Sequence, residues 1–150
     1  LFEAAAETGA ISGGGKDHAA ALATYGKNLG LAFQIIDDVL DYGGTTTVIG
    51  KSVGDDFREG KITLPVILAF RRGDDEERDF WRRTLGELDQ KDGDLEHAFR
   101  LLERHGALND TVDRARHYGA IARDSLGILN DGEIKDALIS LIDFCIERPY

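Results

Sequence analysis

Residues 33–42 read FQIIDDVLDY, and residues 50–65 read GKSVGDDFREGKITLP. The first segment places four polar side chains on one face of an α-helix, about one turn apart: Gln34, Asp37, Asp38 and Asp41. Carboxylates gathered in this way raise the pKa of at least one of them unless a cation offsets the repulsion. Mg²⁺ suits such a face, because it binds to one or two carboxylates and completes its shell with waters and substrate phosphates. The spacing alone is equally compatible with an amphipathic helix whose acids face solvent.

The second segment carries two lysines, Lys51 and Lys61, which flank Gly54 and Gly60. A lysine ammonium is a compact charge that binds phosphate groups well, and glycines allow the backbone to approach an anion closely. An ordinary solvated loop would have a similar composition, so that alternative stays open. Taken in order, the two segments predict metal-binding carboxylates beside cationic groups that bind a diphosphate.

The order and spacing of these elements resemble the second aspartate-rich region of the trans-polyprenyl diphosphate synthases. The matching elements are Gln34, Asp37-Asp38-x-x-Asp41, Gly50-Lys51, Val53-Gly54-x-Asp56 and Glu59-Gly60-Lys61-x-Thr63-Leu64-Pro65. The likeness is greatest to the bacterial long-chain (octaprenyl to decaprenyl) members, and it extends from Leu1 to about Pro149. It implies an all-α fold, the isoprenoid synthase-type helical bundle, with residues 1–150 forming the C-terminal part of a single domain.

Mg²⁺ is the cofactor that the resemblance implies. By that resemblance, Asp37 is a direct ligand of the ion, and Asp41 and Asp38 hold its water shell. Asp56 is a further candidate in the same site. The four histidines show no paired ligand spacing, so surface roles are expected for them.

The substrates that the resemblance implies are isopentenyl diphosphate and an allylic diphosphate. Lys51 and Lys61 are expected to bind the allylic diphosphate, and together with Asp37 they form the expected catalytic group. Gln34 is expected to orient that end of the site. Phe33 is expected to line the tunnel for the growing prenyl chain.

Members of that family release diphosphate from the allylic carbon and join the resulting cation to isopentenyl diphosphate. Their all-trans polyprenyl products serve isoprenoid and quinone side-chain biosynthesis. The family's first aspartate-rich motif does not occur in this sequence, so we expect the C-terminal half of a longer homodimeric enzyme, inactive as a fragment alone. Two alternatives stay open: a non-catalytic subunit or helical interaction module derived from a prenyl synthase, and a plain acidic helical bundle.

The composition argues against several other classes of protein. A net charge of −10 opposes binding to nucleic acid and to anionic membrane surfaces. It does not oppose binding of diphosphates, because lysines and metal ions set the local field. The single cysteine excludes an intrachain disulfide and fits a reducing cytoplasm. No run of about 18 apolar residues occurs, so no membrane span is predicted.

Helical periodicity and turn residues predict helices at about residues 1–12, 17–42, 62–72, 75–90, 95–105, 109–129 and 134–146. Asp17 is expected to cap the second helix, and Asp74-Asp75 to begin the fourth. Residues 43–61 are predicted to form a long irregular loop, a type of segment that is often functional.

Overall fold

The computed structural model describes residues 1–43 and 53–147, and within them the regular structure is helical, without a strand. The all-α prediction is confirmed over these residues. The α-helices are α1 (Phe2–Ser12), α2 (Ala19–Gly43), α3 (Asp55–Arg58), α4 (Leu64–Arg72), α5 (Asp75–Trp81), α6 (Asp94–Arg104), α7 (Ala107–Ser125) and α8 (Glu133–Ile146). Short 3₁₀-helices lie at Lys16–His18 and Leu126–Ile128, and a π-helix lies at Arg82–Gly86. None of the helices in this range is long and apolar enough to cross a lipid bilayer.

The contacts between residues divide the chain into two compact units. Among the described residues, the first unit comprises residues 1–36 and 113–147, and the second comprises residues 37–43 and 53–112. The prediction of a single domain over residues 1–150 is not tested by this division and stays a prediction.

The first unit packs α1, most of α2, most of α7 and α8 around a small apolar core. Its buried members are Tyr25, Leu29, Ala122, Leu126, Ile142 and Cys145. The Tyr25 hydroxyl donates to the carbonyl oxygen of Leu138 at 2.9 Å, which ties α2 to α8. The backbone of α1 comes so close to α2 that a Cβ at Gly26 would lie 2.4 Å from the Phe2 carbonyl oxygen. This approach requires glycine at position 26.

The second unit carries Asp37 and Lys61 and has a larger apolar core. Its buried members are Tyr42, Phe57, Val66, Leu68, Ala69, Trp81, Leu85, Ala98, Leu101, Leu102 and Ala107. The Phe57 ring joins α3 to this core, with its centroid 6.5 Å from those of both Phe80 and Trp81. Full burial of such a side chain contributes roughly 1.5–3 kcal/mol. This contact stabilises α3, because a four-residue helix is not stable by itself.

The helix predicted at residues 75–90 is shorter than expected. Helix α5 ends at Trp81, the π-helix follows, and Leu88 has a positive φ of 56°. The side chain of Gln90 turns back and donates to the carbonyl oxygen of Thr84, which is buried. Tertiary contacts therefore determine how this helix ends, and local periodicity does not report them.

Two of the remaining local predictions, the cap of α2 and the irregular loop, differ from the structure, and a third, the start of α5, is confirmed. Asp17 lies inside a 3₁₀-helix and does not cap α2 from outside. The loop predicted to be irregular contains α3. Asp74 does begin α5: its carboxylate accepts the N–H of Glu77 at 3.0 Å, and the Glu77 carboxylate accepts the N–H of Asp74 at 3.2 Å. This reciprocal pair is a capping box.

Candidate functional site

The acidic face of α2 lies at the C-terminal end of that helix. Asp37, Asp38 and Asp41 are each partly buried there. The Asp41 carboxylate accepts the backbone N–H of Asp56 at 3.0 Å, and the Asp41 carbonyl oxygen accepts the N–H of Gly54 at 2.7 Å. These two bonds hold the start of α3 against the end of α2.

The surroundings of Asp41 favour a bound cation. Burial raises the pKa of the Asp41 carboxyl above its ordinary value. The N–H bond from Asp56 opposes this rise, while the nearby carboxylates of Asp56 and Asp55 add to it. A cation at this end of the helix would offset the repulsion between these groups.

The donor set here fits Mg²⁺, although not as a closed protein cage. In the part of the chain that the structure describes, no group of three His, Cys, Asp or Glu side chains is placed to hold a metal ion by itself. Mg²⁺ needs only one or two carboxylates when water and phosphate oxygens supply the other ligands. Asp37 and Asp41, about one helical turn apart on α2, provide that number. The choice of ligands among Asp37, Asp38 and Asp41 stays a prediction.

Lys61 lies in an ion-paired cluster next to this helix end. Its ammonium donates to Asp56 Oδ1 at 2.8 Å and pairs with Glu59 Oε2 at 2.7 Å. These hydrogen bonds raise the pKa of Lys61 above its ordinary value, with the bond to Asp56 contributing most. The lysine is therefore charged at neutral pH, and its side chain is 55% exposed, so an anion can reach it.

Asp56 connects the two groups. Its backbone N–H bonds to the Asp41 carboxylate, and its own carboxylate bonds to the Lys61 ammonium. The candidate metal-binding helix and the candidate diphosphate-binding lysine are thus joined through one residue.

The backbone turn that presents Lys61 is a Schellman motif at the end of α3. The Lys61 N–H donates to the Asp56 carbonyl oxygen at 2.9 Å, and the Gly60 N–H donates to the Phe57 carbonyl oxygen at 3.0 Å. Gly60 has a φ of 72°, in the left-handed region that glycine adopts readily. A Cβ at Gly60 would lie 2.2 Å from Cδ2 of Leu88, so that side chain would have to move.

The other three predicted site residues, Gln34, Phe33 and Lys51, are not among the bonded residues described above. Gln34 is exposed on α2 and belongs to the first unit. Phe33 is half-buried in the same unit, with its ring centroid 5.4 Å from that of Phe2. Lys51 lies outside the described residues. The roles predicted for these three residues stay predictions.

Two features of the site were not predicted from the sequence: the contact made by Gln90 and the bonded link through Asp56. No motif marks Gln90, whose side-chain amide donates to the carbonyl oxygen of Phe57. The link through Asp56 was also missed, although one signal was present. A glycine directly before Lys61, at the end of a short polar run, is typical of a Schellman turn that bonds residue 61 back to residue 56.

Comparison with known proteins places this geometry in context. A family model described as Polyprenyl synthetase matches residues 1–102. The octaprenyl diphosphate synthase of Haemophilus influenzae is 38% identical over 151 residues, which cover 100% of this chain and 46% of that protein. The chain therefore spans about half the length of the curated relatives that it matches.

Solved structures show the same fold. A decaprenyl diphosphate synthase from Rhodobacter capsulatus superposes with a TM-score of 0.90 at 48% identity, covering 99% of this chain and 46% of that one. A polyprenyl synthase from Caulobacter crescentus CB15, complexed with calcium and isoprenyl diphosphate, gives a TM-score of 0.92 at 45% identity, with coverages of 99% and 46%. The isoprenoid synthase-type helical fold predicted from the sequence is confirmed by these likenesses.

Proposed function

Since the chain belongs to the polyprenyl synthetase family, as its sequence predicted, we propose that the full-length protein condenses isopentenyl diphosphate with an allylic diphosphate. The product is an all-trans polyprenyl diphosphate for isoprenoid or quinone side-chain biosynthesis. The observation that carries this proposal is the bonded path from the Asp41 carboxylate through Asp56 to the Lys61 ammonium. This path keeps carboxylates that can bind a cation close to the Lys61 ammonium, which can bind an anion.

The reaction requires stabilisation of a departing diphosphate. The bond between the allylic carbon and the diphosphate oxygen breaks, and its electron pair leaves with the diphosphate. The isopentenyl double bond then attacks the allyl cation, and a proton is lost. Lys61 stabilises the leaving group by donating hydrogen bonds to its oxygens, and Lys51 adds a second charge. Electrostatic stabilisation of this kind is commonly the largest catalytic contribution.

Lys61 can donate a hydrogen bond to a diphosphate while it stays paired with Asp56 and Glu59. An ammonium group has three N–H donors, so it can keep its bonds to Asp56 and Glu59 while donating to a diphosphate oxygen. The two carboxylates fix the direction of the ammonium group before the substrate arrives. Less ordering of the side chain is then needed on binding.

The carboxylates of α2 are proposed as the residues that would hold Mg²⁺. Asp37 would bind the ion directly, and Asp38 and Asp41 would hold its water shell. When bound, the ion supplies positive charge that stabilises the leaving diphosphate. The proposal is supported by the donor chemistry of the helix face and by the raised pKa of Asp41 in a carboxylate-rich environment.

The finer features of the proposal come from the resemblance and the composition. Gln34 orients the diphosphate end of the site, and Phe33 lines the prenyl-chain tunnel. The full-length protein is proposed to be a homodimer without a nucleic-acid partner, and the net charge of −10 on this chain opposes binding to nucleic acid. We propose a cytoplasmic location, because a reducing compartment suits the single cysteine of this chain.

Calorimetric titration of the full-length protein tests the proposed site. A bisphosphonate analogue of the allylic diphosphate is titrated in the presence of Mg²⁺ into the wild type, Asp37→Ala and Lys61→Ala. Loss of one charge-assisted contact should weaken binding by about 10- to 100-fold in Lys61→Ala. Asp37→Ala should abolish the dependence of binding on Mg²⁺.

Lys91→Ala is the matched control. Lys91 is another exposed lysine of the second unit that pairs with an aspartate, Asp89, and its removal should leave the affinity unchanged. Binding that is indifferent to both Asp37→Ala and Lys61→Ala would contradict the proposal. That outcome would favour a non-catalytic subunit or interaction module derived from a prenyl synthase.

A further inference from the structure

The turn that carries Lys61 rests on residues 80–90, here called the support segment. This segment contains none of the residues assigned above to the metal or the diphosphate. The Phe57 ring packs against Phe80 and Trp81, and the Gly60 backbone lies directly under the Leu88 side chain. The Lys61 turn and the support segment are therefore in contact at both ends of the turn.

Gln90 adds a polar link between the two. Its side-chain amide donates one N–H to the Phe57 carbonyl oxygen at 2.8 Å and another to the Thr84 carbonyl oxygen at 3.1 Å. A primary amide has two N–H donors, so this one side chain bridges α3 and the π-helix. The Phe57 carbonyl oxygen also accepts the Gly60 N–H that closes the turn. Gln90 thus holds a backbone group that determines the direction in which the chain leaves α3 towards Lys61.

Leu88 supports the turn from a strained conformation. Its φ of 56° lies in the left-handed region, which costs a residue other than glycine about 1–2 kcal/mol. The side chain is 59% exposed, so burial does not account for this conformation. The backbone on either side is fixed by hydrogen bonds from the Glu87 N–H to the Arg82 carbonyl oxygen and from the Asp89 N–H to the Arg83 carbonyl oxygen. The result is that Leu88 lies against Gly60.

We propose that Gln90 and Leu88 are positioning residues for Lys61, which they hold in the orientation that receives a diphosphate. The proposal rests on the diphosphate-binding role proposed above for Lys61. The buried Phe57 ring and the bonds from Asp41 hold the start of α3, whereas the peptide groups that follow Phe57 depend on further contacts. Gln90 and Leu88 fix those groups, one through a carbonyl oxygen and the other through contact with Gly60.

The test is a double-mutant cycle in the full-length protein with Mg²⁺, and inorganic diphosphate is the probe. Gln90→Met keeps the length of the side chain and removes both N–H donors. We expect it to weaken diphosphate binding about tenfold, since small displacements of a positioned group have effects of this size or larger. In the Lys61→Ala background, the same change should have no further effect on affinity, because the group being positioned is absent.

Two further variants keep the test decisive. Asp74→Ala removes the helix cap of α5 in the same unit, so it should lower stability and leave the diphosphate affinity unchanged. Leu88→Gly removes the contact with Gly60 and also relieves the backbone strain. It should fold at least as stably as the wild type while weakening binding, and it decides the matter if Gln90→Met does not fold.

The outcomes separate this inference from the proposed function. Retained affinity in Lys61→Ala would overturn both. Loss of affinity in Lys61→Ala with retained affinity in Gln90→Met and Leu88→Gly would overturn the positioning role alone. An equal loss from Gln90→Met in both backgrounds would also overturn it, because that result indicates a general structural effect. Loss confined to the background that contains Lys61 would support it.

Discussion

At the scale of single residues, the site depends on Asp56 and Gly60 as much as on the residues expected to contact substrate. Asp56 bonds to Asp41 through its backbone and to Lys61 through its carboxylate. Gly60 makes the left-handed turn that brings Lys61 back over Asp56. Both residues therefore determine where Lys61 lies in the proposed site.

Gly60→Ala should lower the free energy of unfolding by about 1–2 kcal/mol, because alanine at a positive φ is strained. The added methyl would also displace the Leu88 side chain. Urea denaturation measures this loss. Gly86→Ala is the control, since a Cβ there meets no atom within 4 Å, and it should change stability little. Equal stabilities for the two variants would contradict the Schellman geometry.

A second prediction at this scale concerns the ion pair of Asp94. Arg83 donates to both oxygens of its carboxylate at 2.9 Å, and the Lys91 N–H donates to one of them at 2.8 Å. The bonds from Arg83 are the largest cause that holds the pKa of Asp94 below its ordinary value, with burial opposing them. The folded state therefore binds the proton more weakly than the unfolded state.

The stabilisation from Asp94 should be complete above about pH 4, the pKa of a free aspartate. It should be lost as the pH falls through the lower pKa of the folded state. Asp94→Asn should cost about 2 kcal/mol at pH 7, and the difference from the wild type should shrink in acid. Urea denaturation of both proteins between pH 7 and pH 3 measures it. A difference independent of pH would show that the charge of Asp94 contributes nothing.

At the scale of elements, the short helices α3 and α5 are stabilised by hydrogen bonds at their ends and by buried side chains. Helix α3 is anchored by the Phe57 ring and closed by the Schellman turn. Helix α5 begins with a capping box, and the buried Glu77 of that box also bonds to Arg104 and His105 at the end of α6. The start of α5 is therefore bonded to the end of α6.

Asp74→Ala should destabilise the protein by about 1 kcal/mol, because the Glu77 N–H loses its acceptor. Asp75→Ala is the matched control. Asp75 is the next residue along, its side chain is almost fully exposed, and it makes only a surface pair with Arg78. Thermal unfolding compares the two, and a larger loss in Asp75→Ala would contradict the capping role.

At the scale of the whole molecule, the chain divides its contacts between two units, each with its own apolar core. Helices α2 and α7 each cross from one unit to the other within the helix, at Ile36–Asp37 and Val112–Asp113. Because residues of both helices belong to both units, we expect the two units to unfold together.

Hydrogen exchange in rising urea tests the single-domain prediction. Peptides from α8 in the first unit and from α6 in the second should lose protection at the same urea concentration, as in a two-state domain. Each α6 peptide serves as the internal reference for the α8 peptide in the same sample. Protection that is lost in one unit well before the other would show two separately folding domains.

The sequence by itself determined what depends on neighbours within a few residues. The acidic face of α2 follows from helical spacing, and so do most helix positions and the start of α5 at Asp74. The specific order of acidic and lysine elements over residues 34–65 was enough to indicate the family. These features depend on residues close together in the chain, so the amino-acid sequence is sufficient to predict them.

Only the tertiary structure decided which distant residues meet. The bond of Asp41 to Asp56 depends on how the chain returns to the end of α2, and the support from Leu88 and Gln90 depends on a helix that ends early. Such contacts form because burial of Phe57 and its neighbours favours one packing among many. The free energy of that packing belongs to the folded core as a whole, and no spacing along the sequence expresses it.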